Sequence, residues 1–270
     1  MIRDITIGQY FPGKSAIHRL DPRTKLLITI AYIAVLFVAK NVYALAIGTV
    51  FAVMCYLISG IPFIMIFKSL KPIIPIVVFT AILNMFFING EVLLQVWRIK
   101  ITREGVITAI VMAVRIALLI AGSSLLTYTT SPIMLTDGIE SLLSPLSKIK
   151  VPVHELAMMM SIALRFIPTL IEETDKIMSA QKARGADIET GGIIKRAKAL
   201  IPILVPLFVS AFRRADELAL AMECRCYRGG EGRTKLKKLQ FGAVDAIALA
   251  VMILLIAAII FANSVSPAMI

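Results

Sequence analysis

Residues 241–262 read FGAVDAIALAVMILLIAAIIFA, twenty-two residues and almost wholly apolar. At 1.5 Å per residue a helix of this length crosses the roughly 30 Å hydrocarbon layer of a bilayer. The rest of the chain repeats the theme. Of 270 residues, 59% are apolar and the mean hydropathy is +0.87, more than a soluble core of this size can absorb, so lipid or partner proteins must cover the remainder.

Working back from that segment, residues 26–39 are apolar but short, Lys40-Asn41 interrupts them, and Val42–Ser59 follows. This predicts two spans joined by a tight hairpin, with Lys25 and Lys40 reaching to opposite interfaces. Residues 72–96 predict a third span, with Pro75 near its start and Asn84 and Asn89 as polar members. Trp97, Arg98, Lys100 and Arg103 mark an interface. Residues 105–130 predict a fourth span containing Arg115, which either snorkels, finds a buried partner or lines a pathway. The reading is all-α: a polytopic membrane protein with about five transmembrane helices. It divides into residues 1–130 with an N-terminal segment and four spans, 131–240, and 241–270 with the last span.

Residues 131–240 differ in kind, carrying 17 basic and 12 acidic residues. Two long helices are predicted there, from Val153 to about Arg184 and from about Ile193 to Tyr227. Pro202 and Pro206 are expected to kink the second, and Gly185, Gly191-Gly192, Gly229-Gly230 and Gly232 to end or bend the chain. The positive-inside rule places the N-terminus and residues 131–240 in the cytoplasm, the 61–71 turn on the same side and the C-terminus outside. The net charge of +12 is spread between apolar segments rather than gathered on a basic domain, so it fits membrane topology and anionic headgroups better than nucleic acid.

Catalytic chemistry has little to stand on. His18 and His154 belong to no HExxH motif and no phosphate-binding GxxxxGK[ST] loop occurs. Asp21 and Glu155, close to those histidines, read as local caps and surface pairs. Cys224 and Cys226 are one residue apart with no second pair, a poor zinc pattern, and Cys55 lies in an apolar run. No directly bound cofactor or metal is expected.

What stands out is a near-repeat. Asp175–Gly185 reads DKIMSAQKARG and Asp216–Cys226 reads DELALAMECRC; each has an aspartate, an alanine five residues on and an arginine nine residues on. Ala180 stacks one turn before Arg184, and Ala221 one turn before Arg225. Both arginines fall at a helix C-terminus, where a cation suits the helix dipole, and a planar guanidinium can grip a carboxylate with two bonds. The pattern reads either as solvated helix caps or as two similar docking points. Met158, Met159 and Met160, with the apolar runs around Pro202 and Pro206, read either as internal packing or as a surface for another membrane protein.

On these residues the chain resembles the transmembrane component of energy-coupling factor transporters, the CbiQ-like T component or EcfT. HRLDPRTKL at 18–26 is similar to the family's opening segment, LRFIPTLIEETDKIMSAQKARGAD at 164–187 is the most specific string, and AMECRCYRGG at 221–230 matches a second signature. The resemblance covers nearly the whole chain. It implies a non-catalytic scaffold with long cytoplasmic coupling helices in a prokaryotic cell membrane. It also implies two ABC-type ATPase subunits (EcfA and EcfA') that carry ATP and Mg, and a substrate-capture subunit (EcfS), dedicated or exchanged, for vitamin or micronutrient uptake. By the same resemblance, Ala183-Arg184-Gly185 and Cys224-Arg225-Cys226 are the ATPase-coupling motifs, the second keeping its arginine but replacing both neighbours. Met158–Met160, Pro202 and Pro206 are then candidate contacts for the capture subunit. The residues alone also admit a permease with its own substrate path through Arg115, Asn84 and Asn89, a membrane enzyme, or an anchor without transport.

Overall fold

A computed structural model describes residues 10–88, 92–96, 99–186, 192–229 and 239–265. Asn89, Trp97, Arg98, Gly191, Gly230 and Gly232 lie outside them. The described chain is helical apart from one short antiparallel hairpin. The helices are α1 (Ala16–Arg19), α2 (Pro22–Val38), α3 (Val42–Ser59), α4 (Ile64–Leu70), α5 (Ile74–Phe87), α6 (Arg103–Thr129), α7 (Pro132–Leu143), α8 (Val153–Ala183), α9 (Ile193–Cys224) and α10 (Ala243–Val265). The hairpin is β1 (Val92–Val96) with β2 (Ile99–Thr102). The described residues form two compact units, one within residues 8–138 and 238–270 and the other within residues 139–237.

In the first unit, α2, α3, α6 and α10 share one core, which includes Tyr32, Leu36, Leu45, Leu118, Met252 and Ile259. Hydrocarbon tails are as apolar as leucine, so close packing rather than water exclusion holds such helices together. Small residues supply the closeness. A Cβ on Gly48 would lie 2.9 Å from Leu36, and one on Gly122 would lie 2.7 Å from the Tyr32 ring. Tyr32 donates to the Gly48 carbonyl at 3.1 Å, and Tyr56 to the Ala121 carbonyl at 2.9 Å. These hydroxyls tie α2 to α3 and α3 to α6.

Among the described residues five helical segments are long and apolar enough to span: Val42–Ser59, Ile64–Phe87, Arg103–Thr129, Val153–Ala183 and Ala243–Val265. The set differs from the expectation at three places. The third span is displaced: α4 and α5 run nearly continuously through the 3₁₀ turn Lys71–Ile73, the helix stops at Phe87, and residues 92–96 are a strand. Pro72 and Pro75 sit in first turns, where a missing amide costs least, so they punctuate the helix without ending it. The expected 61–71 turn is therefore mostly helix. Second, α2, at 17 residues, is shorter than the others. Third, α8 qualifies through its first half, since its apolar stretch ends by Ile171, before Glu172, Glu173 and Asp175.

Lys25 behaves differently from expectation, and Arg115 takes one of the readings open to it. Lys25 does not reach for the interface. It is buried, and its ammonium donates to the carbonyls of His18 (3.1 Å) and Thr129 (2.8 Å). Arg115 donates from Nη2 to the Ala39 carbonyl at 2.5 Å. Ala39 is the C-cap of α2, so the guanidinium places a positive charge at the negative end of that helix.

Candidate functional site

In the second unit, α8 and α9 pair side by side. Gln181 Nε2 donates to the Pro202 carbonyl at 3.3 Å. Eight residues earlier on α8, Glu173 accepts from Ser210 Oγ at 2.6 Å and from Arg214 Nη2 at 2.7 Å. Moving back along α8 thus means moving forward along α9, and the two helices are antiparallel. The bond to Pro202 has a backbone cause. Pro206 has no N–H to return to the carbonyl four residues earlier, which is that of Pro202, and Gln181 supplies the missing donor. α9 continues through both prolines as one helix.

The hydrogen bond from Ser210, then those from and the charge of Arg214, hold the Glu173 carboxyl below the usual carboxylate range. Beside this contact lies a cavity of about 510 Å³ lined by Thr169, Glu172, Lys176, Ile177 and Ala180 with the Glu173–Arg214 pair. His154 pairs with Glu140 at 3.0 Å rather than with its neighbour Glu155.

The two arginine motifs share one backbone structure. Arg184 is the C-cap of α8. Gly185 follows at φ +86°, its N–H bonding to Lys182 O at 3.0 Å, and the N–H of Ala186 returns to Gln181 O at 3.0 Å. Arg225 is the C-cap of α9. Cys226 follows at φ +56°, its N–H bonding to Glu223 O at 2.8 Å, and the N–H of Tyr227 returns to Met222 O at 3.0 Å. Both are Schellman endings, which satisfy the last helical carbonyls through one left-handed residue. Cysteine in place of glycine at 226 leaves the turn intact, at a strain cost of about 1–2 kcal/mol for a side chain in that region.

Ala183, Arg184, Gly185, Cys224, Arg225 and Cys226 are all exposed. Neither arginine side chain has an ion pair among the described residues. Extending the antiparallel register to both helix ends separates Arg184 from Arg225 by about 26 helical residues, or roughly 40 Å. The structure therefore does not gather the arginines into one site. It holds them at opposite ends of one helix pair.

Met159 and Met160 are exposed on α8, and Met158 is half-buried. Pro202 and Pro206 are exposed on α9, beside a stripe formed by Ile201, Val205, Phe208 and Phe212, with Phe212 68% exposed. Spaced by four, three and four residues, this stripe covers one helix face with nothing packed on it among the described residues. Glu173 and Gln181 lie within the 164–187 string but outside its arginine spacing, and Ser210 and Arg214 carry no motif. Their pairing depends on a register between helices that the sequence does not display.

The CbiQ family model, described as a cobalt transport protein, matches residues 13–236. The chain is 59% identical over 250 residues to the energy-coupling factor transporter transmembrane protein EcfT of Clostridium kluyveri, covering 92% of this chain and 93% of that one. It is 56% identical over 247 residues to the EcfT of Thermosediminibacter oceani (92% and 93% covered). With that of Bacillus subtilis the identity is 49% over 262 residues (97% and 99%).

Proposed function

The chain belongs to the CbiQ family, among the transmembrane proteins of energy-coupling factor transporters, and from that premise we propose how it couples ATP hydrolysis to uptake. It is a multi-pass membrane subunit of a transport system rather than an enzyme. In the proposed arrangement α2 crosses as the first of five spans and α8 lies with the cytoplasmic region, so residues 131–240 and the N-terminus face the cytoplasm and the C-terminus lies outside. Two ABC-type ATPase subunits carry ATP and Mg, and a substrate-capture membrane subunit, dedicated or exchanged, supplies a vitamin or other micronutrient.

The observation that carries this reading is the pair of identical helix endings. Each presents one exposed arginine at a C-cap, and the pair spans roughly 40 Å, a spacing suited to two separate grooves, one on each ATPase subunit. Ala183 and Gly185, and Cys224 and Cys226, shape the turns that present the two guanidinium groups. ATP-driven closure of the ATPase dimer moves the grooves, and Arg184 and Arg225 pass that movement to α8 and α9. Two apolar surfaces, Met158, Met159 and Met160 on α8 and the face around Pro202 and Pro206 on α9, hold the capture subunit, whose tilt or release delivers substrate. Coupling requires that the ATPase dimer and the capture subunit each favour different arrangements of the helix pair.

The test is uptake and ATP hydrolysis measured together in proteoliposomes of the full complex. Arg184→Glu or Arg225→Glu should abolish uptake while the ATPase subunits keep hydrolysing. Uptake at the wild-type rate in both variants would remove the arginines from coupling.

A further inference from the structure

In the first unit, a cavity of about 240 Å³ lies among α1, α2, α3, α6 and α10. Its walls are apolar, with Leu20, Ile28, Phe51 and Leu126 among them. Its mouth is edged by Ile58, Ile247 and Val251, which are 51%, 63% and 47% exposed on α3 and α10. α3, α6 and α10 are long and apolar enough to span, and the exposed edge residues belong to α3 and α10, so the mouth faces lipid.

One end of the cavity is charged. Lys25 lines it, and Ala16, Ile17 and Leu20 of α1 close over it. Lys14 and Arg19, on the same short segment, are exposed and have no ion pair among the described residues. The neighbouring acids are already engaged. Asp245 accepts from the backbone amides of Asp21 and Gly242, each at 2.8 Å. Asp21 caps α2 through the amide of Arg23 at 2.9 Å and lies 3.8 Å from that guanidinium. Arg23 also stacks over the Phe241 ring. Lys25 and Arg23 thus lie by the two buried carboxylates, whereas Lys14 and Arg19, which flank the cavity-lining Ala16 and Ile17, are exposed and remain available.

We propose that this groove binds a phospholipid with an anionic headgroup, one acyl chain between α3 and α10 and the phosphate at Lys14 and Arg19. A chain gains nothing by leaving one hydrocarbon environment for another, so close packing in the groove holds the tail. The exposed cations supply the preference for negative charge. This assignment uses only helices of the first unit and stands apart from the coupling mechanism.

The probe is phosphatidylglycerol against phosphatidylcholine, added to the delipidated full chain and followed by native mass spectrometry. Wild type should retain one phosphatidylglycerol in preference to phosphatidylcholine. Lys14→Glu with Arg19→Glu should lower that preference by roughly tenfold to thirtyfold, the effect of about two surface cations. Ile58→Phe, at the lipid-facing edge where folding is least disturbed, should reduce retention of both lipids by narrowing the mouth. Equal retention of the two lipids by wild type would overturn the proposal. So would phosphatidylglycerol binding that ignores Ile58→Phe, which places the lipid on the outer surface. Loss of the bound lipid when the capture subunit joins would assign the groove to a protein helix instead.

Discussion

Opposite placement of Arg184 and Arg225 makes a quantitative prediction about assembly. The two side chains share no partner among the described residues and stand roughly 40 Å apart along the helix pair. Sites this far apart, if each touches its own ATPase subunit as proposed, should contribute independently, to within about 0.5 kcal/mol. If each guanidinium meets a carboxylate in a groove that excludes water, truncation costs about 2 kcal/mol or more; left in water it costs about 1 kcal/mol or less. At 2 kcal/mol each, Arg184→Ala and Arg225→Ala weaken ATPase binding about 30-fold, and the double variant about 1000-fold. The assay is titration of the ATPase pair onto the chain in nanodiscs at several salt concentrations, completing a double-mutant cycle. A double variant no weaker than the worse single would refute independent docking at two ends. Changes below about threefold in all three variants would return both arginines to the role of solvated caps.

Three further outcomes follow from the geometry. Gly185→Ala puts a side chain at φ +86° with open space around it, so backbone strain alone should destabilise that turn by about 1–2 kcal/mol. Cys226→Gly should relieve a similar strain, and amide exchange at Ala186 and Tyr227 should quicken in the first variant and slow in the second. Arg115→Leu removes the cation from the end of α2 and should cost about 1–2 kcal/mol, lowering the detergent-solubilised melting temperature, with Arg115→Lys between it and wild type; an unchanged midpoint would refute the capping role. Glu173→Gln should loosen α8 from α9, seen as faster amide exchange at their contact and less uptake per ATP hydrolysed. Because the Glu173 carboxyl is held below its ordinary value near 4.5, its contribution is complete above that value and is lost only as pH falls below it. The Glu173→Gln defect should therefore be constant across neutral pH.

Legibility in the sequence followed the range of the interaction. Val42–Ser59 is bounded by Asn41 and by Gly60 at φ +71°, both local signals, and its limits read directly. The ends of α8 and α9 read to within a few residues, because glycine and the arginine spacing mark them. The third span was misplaced because its signals compete: Lys68, Lys71 and Pro72 resemble a turn, yet Ile64–Leu70 is apolar enough to stay helical. Lys25 was misread because an ammonium near a span end ordinarily snorkels, whereas here the carbonyls of His18 and Thr129 meet it inside. Thr129 is 104 residues away, and nothing local announces it. The HRLDPRTKL segment likewise gives no local sign of its partners, yet it binds the end of α6 through Lys25 and the start of α10 through the Asp21 amide and Asp245.

The same distinction explains how α9 can carry two internal prolines and still transmit movement. Pro206 leaves the Pro202 carbonyl without its helical donor, a break that in isolation makes a hinge. Gln181 fills that position from α8, and Glu173 grips Ser210 and Arg214 two turns further on. The weak point of one helix is thereby braced by the other. In the proposed coupling, a force entering at Arg225 would reach α8 through these three polar contacts. Gln181→Leu keeps the bulk but removes the donor, so it should leave Arg184 and Arg225 docked and ATP hydrolysis intact while lowering uptake per ATP. Weaker ATPase binding with unchanged coupling in that variant would show that Gln181 serves the Arg184 turn rather than the brace.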